Sequence, residues 1–287
     1  MASSQASKPA NGIEMAGGPP HRVGGPRLKV GCCAYSYRQY LTGERPTITL
    51  GGFLNRCAEM NLDSVELTAY YFQQPITAAS VHQVARRCFL LGLEVAGTAV
   101  GNRFTFPPGD ERKTQIDMVK QWIDYAVDMG ARCIRVFAGA IPQGITEETA
   151  QQWVIDCVEE CLEYSEPRGI LVALENHGGV VATADQTLKL LQRIKSPWFG
   201  LKLDSGNFPA ADPYAELAKV AQYAITTHIK TDMVINGMKQ PADLSRIVEV
   251  LREANYRGHL LLEYEGEEEP AVAVPKTLGE LQRLSKI

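Results

Sequence analysis

Eight short apolar runs punctuate this chain, and between them lie stretches with helical periodicity, an alternation that few folds accommodate. The spacing predicts strands over residues 28–35, 64–67, 93–98, 133–137, 170–174, 199–203, 224–227 and 259–262. Helices are predicted over 50–60, 78–91, 114–129, 147–164, 183–194, 212–223, 242–254 and 277–284. In the third helix Ile116, Val119, Trp122, Ile123, Ala126 and Met129 recur at three and four residues, and Gly130 ends the stripe. Thr183 and Gln186 have the spacing of a capping box, and Asp212 before Pro213 reads as an N-cap with proline in the first turn. Continuous apolar strands need cover on both faces, and strand–helix–strand crossovers are right-handed. Eight such units close as a (β/α)8 TIM barrel. An open doubly wound sheet is the alternative, but no GxGxxG turn follows the first strand.

A chain of 287 residues, 45% of them hydrophobic, suits one barrel domain, expected over 28–287. Residues 1–27, rich in Ser, Ala, Gly and Pro without apolar periodicity, read as a disordered tail. Neither a signal-peptide apolar region nor a membrane-length apolar run occurs, so no membrane partner is expected. Seven cysteines without a CxxC pair suit a reduced, cytoplasmic compartment, with Cys157 and Cys161 as core residues; a leader removed before this sequence begins would leave no trace in it. A net charge of −4 gives no global basic field for nucleic acid. The oligomeric state is open, a homo-oligomer included.

Four successive predicted strands, the fifth to the eighth, terminate in polar residues: Glu175, Asp204, His228 and Glu263. In a barrel these ends share one mouth, where active sites gather. Three buried carboxylates without a cation would repel one another and lose hydration, and a divalent ion resolves this. Oxygen-rich ligation with one imidazole suits Mn²⁺, with Mg²⁺ or Co²⁺ as alternatives, whereas structural zinc prefers thiolates and several His. Side chains two apart share a strand face, so His177 and Lys230 are expected above the metal at the substrate, and Lys202 one layer deeper, paired with a carboxylate. Tyr35, at the C-terminal end of the first predicted strand, is a candidate sugar-pocket residue, with barrel packing as its alternative. Glu66, inside the second strand, is read as a substrate contact or an ion-pair member, with Arg135 as a partner across the barrel. Asn102, Asn176 and Asn207 have hydroxyl-binding or loop-capping roles open to them.

The segments LENHGG, LKLDSGNF, THIKTD and LLEYEGEEEP resemble the strand ends of the xylose isomerase-like TIM barrels, the sugar phosphate isomerase/epimerase group. The resemblance implies a metal held by Glu175, Asp204, His228 and Glu263, with both glutamates also acting as acid and base. Ketose 3-epimerases of that group carry a substrate-binding His three residues after the Asp ligand and an Arg six after the His ligand. Here Asn207 and Val234 stand there, a departure at the substrate and not at the metal. The implied activity is isomerisation or epimerisation of a small-molecule sugar through an enediolate. A lyase acting on oxidised (3-keto) sugars or C-glycosides is the alternative, and a non-catalytic metal-binding barrel a further one. The related DNA-repair endonucleases need a three-zinc site with more histidines than this mouth offers.

Overall fold

The computed structural model describes residues 27–286, so the expected tail falls, apart from Arg27, outside the described residues. The barrel strands are β1 (Lys29–Cys33), β2 (Ser64–Thr68), β3 (Glu94–Ala99), β4 (Cys133–Phe137), β5 (Leu171–Glu175), β6 (Phe199–Asp204), β7 (Ala224–His228) and β8 (His259–Leu262). All neighbours pair in parallel in the order β8-β1-β2-β3-β4-β5-β6-β7. The seam between β7 and β8 closes just past the strand ends, where Ile229 N–H donates to the Leu261 carbonyl at 2.8 Å and Glu263 N–H to that of Ile229 at 3.0 Å. The fold is the (β/α)8 barrel that the alternation requires.

The covering helices are α1 (Leu50–Glu59), α2 (Ala78–Leu90), α3 (Asp110–Met129), α4 (Glu147–Ser165), α5 (Ala184–Arg193), α6 (Pro213–Val220), α7 (Leu244–Glu253) and α8 (Pro270–Leu284). The predicted caps form. Thr183 and Gln186 close their capping box, the Asp212 side chain accepts from the Tyr214 and Ala215 amides, and Gly130 ends α3 at φ +73°. The stripe from Ile116 to Met129 is buried against the barrel, as are Cys157 and Cys161. All seven cysteines are free and buried. Among the described residues no helix is long and apolar enough to cross a membrane.

Beyond shifts of one to three residues at element ends, three features depart from the sequence expectation. α3 starts at Asp110 rather than 114, because Asp110 and Glu111 in its first turn complement the helix N-terminus without adding to the apolar stripe. α8 starts at Pro270 rather than 277, running through Pro275. Between β7 and α7 an antiparallel hairpin, Asp232–Ile235 with Met238–Pro241, turns at Asn236 and Gly237, both at positive φ (52° and 77°).

Candidate metal centre and active site

The ends of β5, β6, β7 and β8 deliver Glu175, Asp204, His228 and Glu263 to one buried centre. His228 Nδ1 faces Glu263 Oε2 at 3.3 Å, Glu175 Oε2 at 3.6 Å and Asp204 Oδ2 at 3.7 Å. Asp204 is level with His228 in the parallel register. The Asn176 amide bridges strands to hold Asp204 there, accepting from the Asp204 N–H at 2.8 Å and donating to its carbonyl at 3.0 Å. Asn102 likewise spans the Phe137 N–H and carbonyl, so both asparagines are spent on backbone.

The electrostatics set these groups apart. Burial pushes the Glu175 carboxyl up, and the nearby Arg135 and His228 charges do not fully offset it. Burial would also raise Glu263, yet His228 and Lys230 outweigh it and hold its carboxyl below the usual range. Asp204 behaves in the same way, with Lys230 and then His228 overcoming burial. Lys230 Nζ donates to Glu263 Oε2 at 2.5 Å and to Glu265, and lies 3.4 Å from Asp204 Oδ2. Burial alone would lower Lys230, but Asp204, Glu263 and Glu265 raise it well above its ordinary value. The ammonium is therefore a permanent charge at the mouth.

The donor set fits a divalent ion. Glu175 Oε2, Asp204 Oδ2 and His228 Nδ1 are buried, converge within 4.8 Å of one another and make no hydrogen bond. Burial would lower the His228 imidazole, yet Glu263 outweighs it and raises it well above its ordinary value, so without a metal Nδ1 carries a proton that a bound cation would displace. The two unpartnered carboxylate oxygens are costly unless a cation takes their lone pairs. Arg135 Nε lies 3.1 Å from Glu175 Oε2 but is not aligned for a hydrogen bond, leaving that oxygen available. A second cluster, Cys33 with Glu66 and His228, also brings ligand-type atoms together. It is already neutralised: Lys202 occupies the second Glu66 oxygen, and burial, reinforced by Glu66, pushes the Cys33 thiol up to about 12.

The remaining expected residues separate by height. Lys202 lies one layer down, fully buried and bonded to Glu66, as the strand parity requires. Glu66 is not at the substrate, a correction to that reading: its carboxylate is 2% exposed beneath the His228 ring, with both oxygens taken by His228 and Lys202. Glu66 is the third of five residues in β2, too deep to reach the mouth, and its ion-pair alternative holds. Arg135 is not its partner. The guanidinium reaches Glu175 on the adjacent strand and lies 3.7 Å over the Phe137 ring, whose centroid is 4.5 Å from that of His177. His177 is exposed at the rim: β5 and its alternation end at Glu175, and the chain after His177 turns away through Gly178 and Gly179 at positive φ. A Cβ on Gly179 would meet the Gly139 carbonyl oxygen at 2.0 Å, so the loops after β4 and β5 touch there only through glycine. Asn207 and Lys230 share the wall of a cavity of about 160 Å³ completed by Val234 and Lys239 of the hairpin, and Asn207 Nδ2 is buried without a partner. Tyr35 is half-buried in the 3-10 turn Ala34–Tyr37 that follows β1, and burial and then Glu265 raise its phenol, so it borders the same charged mouth. The contact of Arg135 with Glu175 is the one the sequence reading missed; the signal for it was a cation inside an apolar strand.

Residues 54–284 match the family model described as xylose isomerase-like TIM barrel, and the chain belongs to that family. No curated protein sequence matches it. Among solved structures it is similar to the IolI protein with a binding zinc atom, at TM-score 0.74 and 16% identity over 90% of this chain and 96% of that one. It is similar to a D-psicose 3-epimerase from Clostridium cellulolyticum H10 at TM-score 0.72 and 13% identity, over 90% and 99% of the two chains. It is also similar to 3-keto-D-glucoside 4-epimerase, YcjR, from E. coli at TM-score 0.71 and 17% identity, over 89% and 99%. At such identities these likenesses establish the fold.

Proposed function

We propose that this barrel is a divalent-metal-dependent enzyme that isomerises or epimerises a sugar through an enediolate, with Glu175 and Glu263 as the proton-transfer pair. The observation that carries the reading is the convergence of three orphaned buried ligand atoms, from Glu175, Asp204 and His228, with a fourth carboxylate, Glu263, 3.3 Å from the same imidazole nitrogen. A bound divalent ion would supply Lewis-acid stabilisation of negative charge on the substrate oxygens. Oxygen-rich ligation with one nitrogen favours Mn²⁺, with Mg²⁺ and Co²⁺ as alternatives. The sugar-epimerase neighbours support the substrate class.

The chain's own residues divide the work. Glu175 and Glu263 end strands that flank the Asp204 and His228 strands, so they approach a substrate from different sides of the centre. One removes the proton alpha to the carbonyl, and the other returns one at the opposite face or adjacent carbon. Their environments differ, Glu175 raised and Glu263 lowered, which is the separation that an acid and a base need. Lys230, beside Glu263, presents an ammonium to a substrate oxygen, and Asn207 offers an unpaired amide N–H across the adjoining cavity.

The test is deuterium uptake from solvent into a turned-over sugar, with metal occupancy measured in each protein. Glu175→Gln and Glu263→Gln, if metal-loaded, are expected to lose exchange by about a hundredfold or more; full loading with wild-type exchange in both would remove the assignment. A second reading keeps proton abstraction but eliminates a β-substituent from a 3-keto sugar. Asn207 and Val234, in the places where ketose 3-epimerases resembling this chain carry His and Arg, favour it. Release of the substituent without reversible exchange would select it.

A further inference from the structure

Beneath the centre lies a buried charge pair that proton transfer does not use. Glu66 from β2 divides its two oxygens. Oε1 is 2.7 Å from His228 Nε2, and Oε2 accepts from the Lys202 ammonium of β6, which also lies 3.4 Å from Thr226 Oγ1. The side chains of Glu66, Lys202 and His228 are 2%, 0% and 0% exposed. β3 places Gly97 opposite Glu66, where a Cβ would be crowded by Cys133 Sγ at 2.7 Å but would sit at ordinary contact distance, 3.7 Å, from Glu66 Oε2. Burying an ion pair is seldom a net gain in stability, and apolar residues of similar volume commonly do as well. Its geometry points to another role.

We propose that Glu66 and Lys202 form a lock that fixes which nitrogen of His228 meets the metal; the proposal rests on the metal reading above. An ionised carboxylate only accepts hydrogen bonds, so with Lys202 compensating its charge Glu66 requires the proton on His228 Nε2. With a metal bound and the ring neutral, the lone pair then belongs to Nδ1, the atom left without a hydrogen bond and aimed at Glu175, Asp204 and Glu263. The same contact pins the ring plane, so the imidazole cannot rotate to offer its other nitrogen. Glu66 is thus a positioning residue acting through His228, and Lys202 acts through Glu66.

The experiment uses full-length protein with ¹⁵N-labelled histidine, loaded with ¹¹³Cd²⁺, the His228 signals being assigned by their loss in His228→Gln. Nε2 is expected to carry the proton and Nδ1 to show coupling to cadmium. Coupling to Nε2 would overturn the lock while leaving the metal reading intact; no cadmium coupling to His228 at all would overturn the metal reading and the lock with it. The double variant Glu66→Leu/Lys202→Met removes both charges together and keeps an apolar filling. It is expected to fold, to lose the fixed tautomer, and to bind Co²⁺ about 10–100-fold more weakly by calorimetry, with altered d–d absorption. A folded double variant with wild-type affinity and spectrum would overturn the lock. Should that variant fail to fold, the cadmium coupling in the wild-type protein decides the question.

Discussion

Replacing Lys230 by Met separates the charge of the mouth from its shape. The ammonium is the cation nearest to Glu263 Oε2, at 2.5 Å, and lies 3.4 Å from Asp204 Oδ2 in a site where its own side chain is 9% exposed. Glu265 also bonds it, but that side chain is 42% exposed, so solvent screens the pairing and it adds little. Leaving a buried carboxylate without its partner costs about 3–5 kcal/mol, less what is recovered by no longer burying the ammonium. Taking about 3 kcal/mol, and about 2–4 °C per kcal/mol for a domain of this size, Lys230→Met in the presence of chelator should melt about 6–12 °C below the wild type. The carboxylates it exposes are those expected to hold the metal. Mn²⁺ should therefore raise the melting temperature of the variant by more than that of the wild type, because the ion replaces a charge that the wild type already carries. The assay is a pair of thermal melts for each protein, with chelator and with Mn²⁺. A variant melting within about 2 °C of wild type in chelator, or an equal Mn²⁺ shift in both, would refute the view of Lys230 as resident counter-charge of these carboxylates.

His228→Ala should keep the fold, since the barrel is held by strand packing below the mouth, and should weaken Mn²⁺ binding by about a hundredfold or more in calorimetry, as the nitrogen ligand is lost. Acid should destabilise the metal-free protein. Asp204, Glu263 and Glu66 are held below their unfolded values, so their contribution is full above an unfolded pKa of about 4 and is lost as pH falls through the lower folded values; Glu175 alone of the four is raised and acts in the opposite sense, so melts in chelator should decline below about pH 4. A flat profile between pH 5 and 3 would count against those directions. Gly179→Ala combines a positive φ of 57° with a Cβ only 2.0 Å from the Gly139 oxygen, so a loss of about 2 kcal/mol or more is expected in denaturant unfolding, with weaker substrate binding as the two loops part.

What could be read in the sequence was whatever is local. The eight apolar runs, the stripe on α3 and the caps at Thr183 and Asp212 each depend on neighbours a few residues away, and each forms as its spacing requires. The hairpin at 232–241 carried an equally local mark, Asn236-Gly237, hidden because the flanking strands are short and the second is mostly exposed. Parity along a strand gives the face on which a side chain lies, and it correctly sent Lys202 below Asp204. It does not give height relative to other strands. Glu175 is opposite Lys202 and Asp204 is opposite His228, yet Glu175 and Asp204 converge on one imidazole nitrogen, so residues staggered by two in register meet at one level in the lumen. That stagger decides the pairings. Arg135 meets Glu175 on the neighbouring strand, Lys202 reaches Glu66 from across the barrel, and the pairing of Arg135 with Glu66 suggested by the sequence is exchanged for these two. The exchange has a consequence that composition alone would not distinguish: one cation is set against Glu175 at the mouth, the carboxylate proposed for proton transfer, and the other against Glu66 beneath the His228 ring.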